Sequence, residues 1–165
     1  MWQFIRYLII CNNNNSNFLL KGNQLFKKKK FKESIETYSE ALVLKGLNNE
    51  EMAVLYSNRS IAYLNLNESE SNVKPDNELR YRALLDAKQC VELNPFWFKS
   101  YYRIGCAYHS LNKFSKAINH FERALALDPC NPQIIKARDS SRYKLAETLW
   151  TFRWQTFVSI GWRYL

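Results

Sequence analysis

Between residues 101 and 129 the stretch "YYRIGCAYHSLNKFSKAINHFERALALDP" sets small and large apolar residues in a fixed order: Gly105, Tyr108, Ala117, Phe121, Ala124, then a proline at 129. The pattern predicts two helices folded back on each other, with each small residue where the helices touch and each large one filling the gap beside it. The order recurs. Pro95 stands 34 residues before Pro129, preceded by "RYRALLDAKQCVELNP" with Ala83, Ala87 and Cys90 at the matching places, and the partner helix "AVLYSNRSIAYL" puts Tyr63 in the slot of Tyr108. Further upstream, "FLLKGNQLFKKKKFKESIETYSEAL" supplies Gly22, Tyr38 and Ala41 in the same sequence. Three copies of one helical hairpin are written along the chain.

Composition agrees with an all-α reading. Only four glycines and four prolines punctuate 165 residues, which suits long helices with short connections better than many strands and tight turns. With 47% apolar and 15% aromatic residues, the chain has material for one packed domain or one short repeat array, and is too short for two ordinary cores. The formal charge of +9 gives a surface that draws in anions: nucleic acid, an acidic membrane leaflet or an acidic peptide. Cys11, Cys90, Cys106 and Cys130 form no CxxC pair, so a disulfide framework is not expected and a reducing compartment, the cytosol, is. The opening "MWQFIRYLIIC" is too short to span a membrane, and Arg6 in its middle and "NNNNSN" after it argue against a signal peptide.

The repeated order resembles the tetratricopeptide repeat (TPR), a helix-turn-helix unit of 34 residues with a small residue at its eighth position and a terminal proline. The third copy matches the signature slots except the bulky first one, where Tyr101 replaces Trp; the first copy ends in "LKGLNNEE" instead of a proline turn. In the second, an insertion at about residues 66–79, around "ESESNVKPDNEL", separates the two helices. The resemblance implies an α-solenoid of three TPR hairpins whose first helices line a concave groove. "NPQIIKARDSSRYKLAE", with Asn131 as cap and Pro132 in the first turn, reads as a closing helix whose Ile134, Ile135 and Leu145 cover the last hairpin. Three parts result: an apolar, asparagine-rich segment at 1–16 that is a candidate for disorder, a TPR domain with capping helix at 17–147, and a tail at 148–165. The tail "LWTFRWQTFVSIGWRYL" holds three tryptophans and two arginines; it reads as a packed helix extension, an interfacial segment or sequence foreign to the fold. Phe96 and Trp97 are expected to cover the junction of copies two and three.

Within the family, "KGN", "LYSNRS" and "KSYYR" resemble the co-chaperone repeats that hold the acidic C-terminal tails of heat-shock chaperones, which end Glu-Glu-Val-Asp. There, a two-carboxylate clamp is built from Lys and Asn on the first helix, Asn on the third, and Lys and Arg on the fifth. Carried over, the likeness implies Asn23, Asn58, Lys99 and Arg103 as clamp residues, with Ile61, Leu64 and Cys106 as shallow apolar groove pockets. Such a clamp is physically reasonable, because a terminal carboxylate beside an aspartate side chain needs donors at fixed positions to replace lost water. Charge-assisted hydrogen bonds contribute about 1.5–3 kcal/mol each, and Arg103 offers a fork that Lys lacks. One position departs from the pattern. Where the family has its first lysine, four residues before the groove asparagine, this chain has Leu19, and Lys21 points to another face of the helix.

Other chemistries fit less well. "KKKKFK", residues 27–32, reads as a solvated turn, and no aromatic-interleaved RNA-binding string accompanies it. Cys106, His109, His120 and Cys130 fit no zinc-ligand spacing; Cys106 with His109 lacks the orienting third group of a thiol nucleophile. With no phosphate loop and no paired carboxylates, no enzyme, metal or cofactor is expected. The reading is a cytosolic adaptor for the acidic tails of 70 or 90 kDa class heat-shock chaperones, with no nucleic acid and no membrane partner expected. Its alternative is a TPR scaffold that holds another protein, or its own tail, without a clamp.

Overall fold

The computed structural model describes residues 17–44, 46–69 and 76–161, with side chains in the last helix placed as far as Trp154. The expected N-terminal segment 1–16, the middle of the expected insertion (70–75) and residues 162–165 of the tail lie outside the described residues. Among the described residues the regular structure is entirely helical: α1 (17–27), α2 (Phe31–Val43), α3 (Asn49–Ser69), α4 (Asn77–Leu93), α5 (Phe98–Ser110), α6 (Phe114–Leu127) and α7 (Pro132–Gly161). Each helix packs on the next in sequence, and α3 also touches α5. This is the connectivity of a solenoid of stacked hairpins.

Local signals account for the helix ends. Asn48 and Glu51 form a reciprocal cap at the start of α3, the Asn48 side chain accepting from the Glu51 amide at 2.8 Å and Glu51 accepting from the Asn48 amide at 2.9 Å. Asp76 caps α4 by accepting from the Glu78 amide, and Asn131 caps α7 by accepting from the amides of Gln133 and Ile134. The repeat is visible in the backbone itself. Asn94 and Asp128, each before a proline, have φ/ψ of −143/82 and −142/80. Lys29 and Asn112, at equivalent places in the turns of copies one and three, both enter the left-handed region, with φ of 60 and 58.

Packing explains the small-residue slots. Gly22 faces the buried Tyr38 ring and Gly105 faces the buried Phe121 ring, so closely that neither position has room for a Cβ. The second copy uses Ser60 in this slot, its hydroxyl donating to the Ala83 carbonyl at 2.8 Å. Three apolar clusters follow along the stack, the first two each shared between neighbouring copies. Tyr38, Ala41, Leu55 and Ala62 form the first, Leu64, Ala83, Leu84, Ala87, Ile104 and Ala107 the second. The third, Ala117, Phe121, Ala124 and Leu125, is closed by Ile134 from α7, with Ile135 beside it and Leu145 half-buried.

Three features differ from expectation. Much of the extra length in copy two is helix: α3 has 21 residues and α4 has 17, against 13 and 14 for α5 and α6, and Leu66 and Asn67 are buried. Phe96 does not cover a junction; it follows Pro95 in a tight turn that directs its side chain outward, and is 84% exposed. Trp97 is half-buried beneath the Lys99 ammonium, 5.5 Å from its ring centroid. Finally, α7 continues without interruption across the boundary expected at 147/148, yet Leu149, Trp150, Phe152 and Trp154 are exposed. The first part of the tail is therefore an extension of the helix, but not a packed one.

His109 and His120 link the last hairpin to its surroundings. His109 Nδ1 lies 2.7 Å from Ser141 Oγ on α7, and the His120 ring stacks on Tyr108. Burial pushes both imidazoles below their usual pKa, helped by Lys144 for His109 and by Arg123 and Lys88 for His120. The unfolded chain therefore takes up protons first. Stability is expected to hold above pH about 6.5 and to fall as acid titrates the unfolded-state histidines. Thermal melts between pH 7.5 and 5.5 should show this drop, and a His109→Gln/His120→Gln variant should flatten it.

Candidate peptide-binding groove

Helices α1, α3 and α5 bring the implied clamp residues to one region of the stack. On α1, the Asn23 side-chain oxygen accepts two hydrogen bonds, from the Tyr38 hydroxyl at 2.7 Å and from the Asn58 amide of α3 at 3.0 Å. That oxygen is thereby directed inward, and the Asn23 amino group becomes the donor end of the side chain. Burial raises the Tyr38 pKa, although Ser34 and the charge of Arg103 pull it back, so the hydroxyl keeps the proton it donates. Ser34 in turn donates to the Gly22 carbonyl at 3.0 Å, which ties α2 to α1 beside Asn23.

Arg103, on α5, reaches the same wall. Its Nε donates to Ser57 Oγ at 3.2 Å, next to Asn58, while the guanidinium lies over the Tyr102 ring at 5.6 Å. Its positive charge opposes the upward shifts of Tyr38 on α2, of Cys90 on α4, and of Tyr102 and Cys106 on its own helix. Lys99 stands one turn earlier on α5 and is exposed. Among the described residues, no carboxylate lies within ion-pair distance of Lys99 or Arg103. Arg59, the residue after Asn58, has the opposite fate. Its Nε and Nη2 each donate to an Asp86 oxygen at 2.8 Å, and its Nη1 donates to Ser39 at 2.9 Å. This buried fork joins α2, α3 and α4.

Below Arg103 the groove widens to a volume of about 710 Å³, and Ile61, Leu64 and Cys106 all line it, with Tyr102, His109, Phe121, Lys136 and Ser140. Burial pushes the Cys106 thiol up, and the Tyr102 hydroxyl up to about 12, so both are neutral apolar or hydrogen-bonding surface at neutral pH. A thiol held protonated is a poor nucleophile. Among the described residues, no three His, Cys, Asp or Glu side chains are grouped as a metal ion requires. Leu19 is half-buried and packs against the cluster of Tyr38, Ala41, Leu55 and Ala62, which makes the α1 end of the site apolar where a lysine would make it cationic. Two contributors escaped the sequence reading: Tyr38 as the group that orients Asn23, and Ser57 as the anchor of Arg103. The string "LYSNRS" contained Ser57, but nothing local in sequence connects Tyr38 to a residue 15 positions away.

The sequence model of the tetratricopeptide repeat family matches residues 98–129, the third hairpin. With its three stacked hairpins and closing helix, the chain belongs to the TPR domains. More narrowly, it is related to the TPR domains of Hsp70/Hsp90 co-chaperones. It is 38% identical over 112 residues to the Hsp70-Hsp90 organizing protein of Triticum aestivum, covering 67% of this chain and 16% of that protein. Among solved structures it is similar to the Hsp90 co-chaperone Cns1 from Saccharomyces cerevisiae, with a TM-score of 0.78, 26% identity, and coverage of 92% of this chain and 45% of that one. It also resembles the first TPR of Spaghetti (RPAP3) bound to the HSP90 peptide SRMEEVD, with a TM-score of 0.66, 28% identity, and coverage of 80% and 95%. The chain spans between about a sixth and a third of the length of the curated relatives it matches. No helix among the described residues is long and apolar enough to cross a membrane.

Proposed function

We propose that this domain is a cytosolic adaptor module, without chemistry of its own, that captures the acidic C-terminal tail of 70 or 90 kDa class heat-shock chaperones. Lys99 and Arg103 hold the two carboxylates, Asn23 and Asn58 fix their orientation, and Ile61, Leu64 and Cys106 receive apolar side chains further up the tail. The observation that supports this reading most is the contact between the Asn23 and Asn58 amides, made before any ligand arrives, with Arg103 anchored one residue away on Ser57. Donors held in place lose little freedom on binding, which favours affinity for a small anionic group.

The test is a titration with the peptide SRMEEVD, with its C-terminally amidated form, and with both at two salt concentrations. A clamp loses affinity on amidation and as salt rises; equal binding of the amidated peptide would favour the scaffold reading. Leu19→Lys restores the missing charge and is expected to tighten binding about tenfold or more. An unchanged constant there would mean that the α1 register assigned to the clamp is wrong.

A further inference from the structure

We propose that the exposed aromatic stretch of α7 lies on an anionic lipid surface, a binding site separate from the groove. Leu149, Trp150, Phe152 and Trp154 are 61, 69, 67 and 60% exposed, and Tyr143, about two turns nearer the domain, is 68% exposed. Spacings of seven and four residues put Tyr143, Trp150 and Trp154 within about 40° of one another around the helix, so they form one stripe. Indole and phenol rings have an apolar body and a polar tip, which suits the headgroup level of a bilayer better than either bulk phase. From Thr148 to the last residue the sequence holds Arg153 and Arg163 and no Asp or Glu, and the whole chain carries +9. That charge matches an acidic leaflet. Because no described helix can cross a membrane, the helix lies along the surface.

Charge also argues against the other occupants. The groove's charged lining is Arg103, Lys136 and Glu68, with Lys99 nearby, so an arginine-bearing, acid-free segment is not its complement. Folding back would, in addition, break a helix that is continuous from Pro132 to Gly161. Pairing with a second copy would bring two acid-free segments together on two chains of +9. A lipid surface is the partner that turns this charge from an obstacle into an attraction.

The test is co-sedimentation of the full chain with vesicles of phosphatidylcholine alone and with about one-third phosphatidylserine. Binding is expected to be about tenfold or more stronger to the anionic vesicles and to weaken with salt. Trp150→Ser/Trp154→Ser should reduce it about tenfold or more, and Arg153→Glu by a similar factor. The substituted residues are themselves exposed and none lines the groove, so SRMEEVD binding should be unaltered, with circular dichroism to show that each variant keeps its helix, which keeps this result independent of the groove. Absence of sedimentation with anionic vesicles would overturn the proposal, as would equal binding by the double variant. A Trp150-dependent dimer seen by light scattering, without lipid binding, would assign the stripe to self-association instead.

Discussion

Arg103→Ala should weaken binding of SRMEEVD by roughly 10- to 150-fold, the size of one charge-assisted hydrogen bond. The side chain is half-buried and its Nε is fixed on Ser57, so the guanidinium is aimed before the ligand arrives and its removal leaves a carboxylate without a matched donor. Lys99→Ala should have a smaller effect, because Lys99 is exposed and its ammonium rests over Trp97. Arg103→Lys should recover only part of the loss, since an ammonium cannot present two parallel N–H groups. Fluorescence polarisation of a labelled peptide gives all three constants, with circular dichroism to show that each variant folds. An unchanged constant for Arg103→Ala would refute the clamp.

Gly105→Ala is expected to destabilise the domain by about 1–3 kcal/mol, even though alanine is the better helix former by about 1 kcal/mol. An added Cβ would fall 2.6 Å from Phe121 Cδ1 and 2.8 Å from its Cζ. Phe121 is only 1% exposed and packed among Ala117, Ala124, Leu125 and Ile134, so the ring has nowhere to go. Separation of α5 from α6 is the remaining outlet, which also disturbs the groove, since Tyr102, Cys106 and Phe121 all line it. Thermal denaturation should show a melting temperature lower by several degrees. In a double-mutant cycle, Phe121→Leu should recover part of that loss by vacating the space the methyl group needs. Additive effects of the two changes would mean that the contact is not what makes glycine necessary.

The hairpins were legible because close packing leaves its mark at fixed positions. Gly22, Ser60 and Gly105 are small for the same geometric reason, and Tyr38 and Phe121 are large for its complement. Asn131 and Pro132 marked the start of α7 because orphaned helix N–H groups need an acceptor, which the Asn131 side chain supplies, and because Pro132 has no N–H to leave unpaired. What failed to show depends on contacts between distant segments or on the absence of contacts. Phe96 looked like core by its type, but only the turn direction decides where a ring after Pro95 points. The aromatic tail looked equally ready to pack or to stand clear, and that depends on where Leu145, the last half-buried apolar residue among the described side chains of α7, leaves the domain. The groove residues were named by resemblance; the bond between Asn23 and Asn58, and the part played by Tyr38, needed coordinates.

The Arg59–Asp86 fork has a consequence for how the solenoid comes apart. Asp86 is 6% exposed, and burial pushes its carboxyl up while Arg59 pulls it back. Separating α3 from α4 would strand a charge in a dry interior, whereas lifting α2 away would take only the Ser39 hydroxyl from Arg59. The second hairpin should thus open as one cooperative block, the amides of α3 and α4 exchanging with solvent together, while the exposed stretch of α7 beyond Leu145 exchanges early and alone.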